Sequence, residues 1–135
     1  MPTTNHYTLS AMLPYDITRM WQSVARYGAI ESCLRSTTPH VTADTIRGIL
    51  AEPLPRGVCC HHYTEYLGTL WSEVFDLTAG TVEVCFGPPT HNPWRTFDLD
   101  VPVGITRYSA RLPDQSADPR FWQVLPAGSN SLAFD

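Results

Sequence analysis

The 135-residue chain contains no lysine, and all nine of its basic residues are arginine. No run of basic residues occurs and the net charge is -4. A nucleic-acid partner, which needs a concentrated positive surface to neutralise phosphates, is therefore not expected. Long apolar runs are also missing. No stretch approaches the roughly 18–20 residues that cross a bilayer, so no membrane partner is expected. The N-terminus lacks the charged and apolar regions of a signal peptide, which points to a cytoplasmic protein with free thiols. There is no glycine-rich phosphate loop, and the spacing argues for no Ser–His–Asp triad. No cofactor is implied.

What is present fits an ordinary single domain: 43% hydrophobic, 16% charged and 11% aromatic residues, enough to build a core. Twelve prolines divide the chain into short elements. The run Cys59-Cys60-His61-His62 reads at first like a metal site. Zinc pairs are separated by two or more residues so that the chain can curl round one ion. Adjacent residues alternate faces on a strand or spread round a helix, so at most two of these four can meet one ion. The other candidates, Cys33, Cys85, His6, His40 and His91, lie far apart. No metal site is expected; Cys59, Cys60 and Cys85 read as core thiols.

Apolar residues from Asp16 to Leu34 recur at helical spacing (Ile17, Met20, Trp21, Val24, Tyr27, Ile30, Leu34), with Asp16 as the N-cap. Thr42 is placed to cap a second helix carrying Ile46, Ile49 and Leu50, stopped by Pro53 and Pro55. Residues 53–68 read as loop, with a short strand near Val58 to Cys60. From Thr69 the period changes to two. Strands are expected over 69–76, 81–86 and 94–99, joined as a meander with a turn at Leu77 to Gly80 and a break at Gly87-Pro88-Pro89. Strand 69–76 is apolar on both faces and needs cover on both. The class is α+β, with helices on an antiparallel sheet. Residues 1–101 form the domain, with a short strand running into a loop expected over 2–11; residues 102–135 read as a Pro-rich, mostly irregular tail.

Several short elements, in order, carry a resemblance. They are Thr4-Asn5-His6-Tyr7, Ser23-Val24-Ala25-Arg26-Tyr27, Val58-Cys59-Cys60-His61, Thr69-Leu70-Trp71-Ser72 with Asp76-Leu77, Gly87-Pro88-Pro89, and Phe97-Asp98-Leu99. Together they resemble the acyl-CoA:6-aminopenicillanic-acid acyltransferase family, the C45 group of peptidases, relatives of choloylglycine hydrolase and penicillin V acylase. The resemblance implies an N-terminal-nucleophile hydrolase fold, an αββα sandwich of two antiparallel sheets between helical layers. It also implies cleavage or formation of linear amide C–N bonds. The nucleophile is an N-terminal cysteine whose own α-amine serves as base. Arg26 is implied to lie near that nucleophile, with Arg19 as the alternative, and Asn5 to donate to an oxyanion. Tyr7, Thr69 and Ser72 are implied substrate contacts, although β-propensity alone also accounts for the two hydroxyls. His61 and His62 are weaker acid–base candidates.

The chain begins Met1-Pro2, and its first cysteine, Cys33, falls inside a predicted helix. It therefore resembles the C-terminal portion of such an enzyme. The nucleophile-bearing half is expected upstream or on a companion segment, and the substrate to be a small amide or acyl thioester. The competing expectation is a catalytically inactive remnant or structural partner of the same fold. Either way, a sheet without its second layer is expected to self-associate.

Overall fold

The chain was analysed as a computed structural model, which describes residues 5–101 and 106–126. Its two α-helices and two small antiparallel sheets make an α+β architecture of the kind found in part of a layered sandwich. The first long helix, α1, spans Trp21–Thr37. It starts later than the apolar spacing suggests. A 3-10 helix, Ser10–Tyr15, precedes this region, and Asp16 is buried beside Arg19, with 4.0 Å between carboxylate oxygen and Nε. Asp16 is thus no N-cap. Met20 precedes α1 without a side-chain cap, and the Trp21 N–H donates instead to the Gln123 carbonyl at 2.8 Å. A helix start leaves its first N–H groups without intrahelical acceptors; here a distant backbone segment supplies one.

The far end of α1 runs past Leu34 because hydroxyls satisfy the last carbonyls. Thr37 Oγ1 donates to the Cys33 carbonyl at 2.8 Å and Thr38 Oγ1 to that of Leu34 at 2.6 Å. Helix α2, Ala43–Ala51, begins at Thr42 as expected. Thr42 Oγ1 accepts from the Thr45 N–H at 3.2 Å, and Thr45 Oγ1 accepts from the Thr42 N–H at 3.3 Å, a reciprocal capping box.

The short strand falls after Val58 to Cys60 rather than on it. β1 (His61–His62) pairs antiparallel with β2 (Leu67–Gly68), while Cys59 bridges in parallel to Pro53. Between them Tyr63–Glu65 makes a 3-10 turn and Tyr66 takes a left-handed conformation, φ 61°. Gly68 is needed here, since a Cβ would sit 2.0 Å from the Tyr63 ring. The three-stranded meander follows as expected: β3 (Trp71–Asp76), β4 (Thr81–Phe86) and β5 (Trp94–Asp98), in the order β3-β4-β5. β3 starts two residues later than expected, because Thr69 is held by Cys60. The Thr69 N–H donates to the Cys60 carbonyl at 2.9 Å and Thr69 Oγ1 accepts from the Cys60 N–H at 3.0 Å.

Alternation gives the sheet two unlike faces. Ser72, Val74, Glu83 and Cys85 share one face, set by the pairs Ser72–Cys85 and Val74–Glu83. Helix α2 packs against β3, and its Arg47 forms an ion pair with Glu83. The other face carries Trp71, Phe75, Val82, Val84, Phe86 and Phe97. Part of it is covered by Tyr108, stacked on Phe86 at 4.5 Å between ring centroids with Arg95 over its own ring. Trp71 and Phe75 stay 60% and 56% exposed.

The described part of the tail has no helix, yet it is fastened throughout. Asn92 exchanges two hydrogen bonds with the Arg111 backbone, Asp114 accepts from the Thr64 N–H and hydroxyl, and the Gln115 N–H donates to the His61 carbonyl at 2.7 Å. Phe121, 1% exposed, lies edge-on to His62 and Trp122. Val124 bridges antiparallel to Met20. Residues 2–4, 102–105 and 127–135 of the sequence reading lie outside the described residues. Of the remainder of the expected first strand, residues 5–9 form no strand and Ser10 and Ala11 begin the 3-10 helix. No helix among the described residues is long and apolar enough to cross a membrane.

Candidate functional site

Three of the five residues singled out from the sequence meet in one place. A cleft of about 590 Å³ is lined by Arg26, Leu50, Val58, Thr69, Ser72 and Glu73, among others. Arg26 comes from the second turn of α1, Thr69 from the link between β2 and β3, and Ser72 from the inward face of β3. Each is held by its own element. Gln22, one helical turn before Arg26, accepts from its guanidinium through Oε1, leaving the Arg26 Nε without a hydrogen-bond partner. Thr69 is fixed by its two bonds to the Cys60 backbone, and its carbonyl accepts from Tyr63 Oη at 2.8 Å. Ser72 is buried opposite Cys85.

The electrostatics keep neighbouring groups neutral. Burial pushes the Cys60 thiol above its ordinary value; the Arg26 charge and hydrogen bond pull the other way but do not prevail. Cys59 is raised by burial, against a hydrogen bond from Thr69, and Cys85 by burial alone. Tyr63 is pushed up to about 12, mainly by burial and then by Cys59 and Cys60. The cleft thus pairs a permanent cation with hydroxyl groups and a carboxylate, Glu73, beside the apolar walls of Leu50 and Val58. That combination can hold a polar carbonyl end and an apolar remainder together.

Asn5 and Tyr7 do not line this cleft; both are exposed. Their neighbour His6 is docked: its Nδ1 lies 2.9 Å from Ser23 Oγ and its ring lies edge-on to Tyr27 at 5.7 Å. Ser23 and Tyr27 flank Arg26 in sequence, so the Thr-Asn-His-Tyr and Ser-x-x-Arg-Tyr elements are in physical contact. Burial, then the Arg19 charge, lowers the His6 pKa, with Asp16 opposing.

The Cys59 to His62 run splits as its adjacency demands. Cys59 Sγ lies 3.5 Å from His61 Nε2, and Thr90 Oγ1 lies 3.4 Å from the same nitrogen. His62 turns away to the Gln115 carbonyl at 2.9 Å. Among the described residues, no three His, Cys, Asp or Glu side chains gather as a metal would require. Burial, then His91 and His62, lowers the His61 pKa, with the Pro113 carbonyl opposing. Cys59 and His61 are therefore a neutral, buried pair.

The sequence also matches the acyl-coenzyme A:6-aminopenicillanic acid acyl-transferase family over residues 1–91. The chain belongs to that family. No curated protein and no solved structure matches it. The matched span holds Asn5, Tyr7, Arg26, Thr69 and Ser72, and ends before Phe97-Asp98-Leu99. Gln22, beside Arg26, and Leu50, Val58 and Glu73, in the cleft wall, were not among the site residues expected from the sequence. Gln22 was legible from its i, i+4 spacing to Arg26. Leu50, Val58 and Glu73 reach the cleft by tertiary packing, although Val58 belongs to the Val58-Cys59-Cys60-His61 element and Leu50 to the apolar face of α2.

Proposed function

We propose that this chain is the C-terminal part of a cysteine-nucleophile enzyme that hydrolyses linear amide C–N bonds or transfers the acyl group. The nucleophile would lie on a segment outside these residues. Family membership supports the acyl-transfer class. The observation that carries the reading further is the convergence of Arg26, Thr69 and Ser72, from three separate segments, on one cleft. The four cysteines present do not suit the nucleophile's role. Cys33 lies in mid-helix, and Cys59, Cys60 and Cys85 are buried; none has the free α-amine that this type of nucleophile uses as its base.

In this reading the incoming cysteine thiolate attacks the substrate carbonyl and forms a C–S bond. The tetrahedral oxyanion collapses and the C–N bond breaks. The amine leaves with the proton first taken up by the α-amine, and a thioester acyl-enzyme remains. Water or a second amine then attacks the thioester and regenerates the thiol. Arg26 holds the nucleophile and fixes negative charge near it. Thr69 and Ser72 contact the substrate, and Asn5 supplies a neutral N–H to the oxyanion. Asn5 and Tyr7, on the exposed surface beside α1, face the companion segment.

The test is to express the chain together with the coding sequence adjoining it in its genome. The product is assayed with acyl amides and acyl-CoA, and an acyl-cysteine adduct is sought by mass spectrometry. Turnover with an adduct on a cysteine outside residues 1–135 is the expected result. No adduct and no turnover in that assembly would leave a structural partner as the function.

A further inference from the structure

One wall of the cleft is a continuous piece of chain, residues 68–73, which runs into β3. Among the described strands β3 is paired with β4 alone, so its other side is a free edge. The pairing decides which backbone groups are left over. The Gly87 N–H donates to the Leu70 carbonyl at 2.6 Å, which extends the register of Trp71 with Phe86 by one residue. Along an antiparallel ladder, residues that exchange hydrogen bonds alternate with residues that do not. Leu70, Ser72, Val74 and Asp76 therefore bond to β4, and Trp71, Glu73 and Phe75 turn their N–H and C=O groups to the open side. Among the described residues these groups have no backbone partner. Trp71 and Glu73 belong to the cleft wall. A row of alternating donors and acceptors is a template for another extended backbone.

Side chains select which backbone. Glu73 stands at the centre of the free edge, exposed, on the same face as the exposed Trp71 and Phe75 that flank it. Among the described residues it has no ionic partner. A second copy paired edge to edge would oppose Glu73 to Glu73 in the register that matches Trp71 with Phe75, and like charges directly opposite destabilise a ladder. A basic residue there reverses the sign, and its aliphatic stem can lie along the two rings. We propose that the free edge of β3 binds an extended peptide segment by strand addition, with a basic residue of that segment opposite Glu73. Its alternate side chains then face Leu50 and Val58 on one side and Trp71 and Phe75 on the other. Binding uses backbone groups and Glu73 and needs no nucleophile, so the inference goes beyond the acyl-transfer reading and does not depend on it.

The probe is acetyl-Thr-Val-Lys-Val-Thr-amide, titrated into the full chain at a concentration where sedimentation shows monomer and followed by amide NMR with hydrogen exchange. The peptide is expected to slow exchange at the Trp71 and Glu73 N–H groups at least about tenfold. The Ser72 and Val74 N–H groups, already bonded to β4, are expected to stay as they were. Glu73→Pro removes one outward donor at a position where an edge strand tolerates proline. It is expected to bind at least about fivefold more weakly than Glu73→Ala, which keeps that N–H. If the proline variant does not fold, the exchange pattern of the unaltered chain decides. The peptide with Glu in place of Lys is expected to bind about threefold more weakly or worse, and Glu73→Lys to reverse that preference. No binding would overturn the proposal. So would shifts at the Trp71 and Phe75 rings with amide exchange unchanged, equal binding by the folded proline and alanine variants, or indifference to both charge reversals. Protection of the Trp71 and Glu73 amides that grows with chain concentration and is not displaced by peptide would assign the edge to a second copy, and overturn it too. Turnover and the acyl-cysteine adduct are read separately in the full assembly, so either reading can fail while the other stands.

Discussion

Arg26 is the residue on which the site turns, because it joins helix α1 to the cleft while Gln22 and Cys60 hold its surroundings. In an active assembly, Arg26→Ala is expected to lower kcat about a hundredfold, the scale of losing one preorganised electrostatic contact. Steady-state kinetics beside Thr42→Ala, remote from the cleft, checks this. His61 and His6 give a second prediction. Both are held neutral below the ordinary histidine value of 6.5. Unfolded, they bind protons more readily than in the native state. Stability is therefore full above pH 6.5 and declines as pH falls below that value toward the lower native pKa values. Thermal melts from pH 7.5 to 5 are expected to show this decline, with a smaller slope in His61→Asn. A flat or rising profile would contradict the neutral assignment. Tyr63 acts at the opposite end: its neutral form is favoured natively up to about 12, so its contribution fades as pH rises beyond the ordinary tyrosine value near 10.

At the scale of the element, the termini divide into local and borrowed caps. Helix α2 has its own capping box, and Thr42→Ala is expected to cost about 1 kcal/mol in urea unfolding. Helix α1 depends on the tail for its first N–H acceptor, and the tail depends on Phe121 for its burial. Phe121→Ala is expected to cost about 3 kcal/mol and to increase hydrogen exchange at Trp21. Unchanged exchange there would uncouple the two. The same division explains what was legible beforehand. The start of α2 and the β3-β4-β5 meander are written in local spacing and turn residues, so they could be read directly. The start of α1 could not, because Asp16 has the chemistry of a cap yet is drawn into a buried pair with Arg19. Thr69 likewise carries a strand-forming side chain but is captured by Cys60. Of the candidate site, Arg26, Thr69 and Ser72 were marked by motif; their meeting was not, since it depends on how three separate segments pack.

For the whole molecule, the decisive feature is the uneven cover of the sheet. α2 lies against one face, whereas among the described residues the other has Tyr108 and neighbouring tail atoms over part of it. Trp71, Phe75 and Leu70 remain exposed along β3, which has no strand beyond it in the described sheet. An open edge beside an apolar surface favours association. Sedimentation is expected to show concentration-dependent self-association, reduced by Trp71→Lys with Phe75→Lys. A monodisperse, cooperatively melting monomer would refute the expectation. The bridge between Met20 and Val124 has a different consequence, in the order of events during synthesis. The chain emerges from the ribosome N-terminus first, so α1 can form early but cannot acquire its final backbone partner until residue 124 has been made. The meander, built from neighbouring strands, needs no such wait. Arg26, on the helix that this bridge anchors, therefore settles only after residue 124 has been made, later than the sheet that forms the far wall of its cleft.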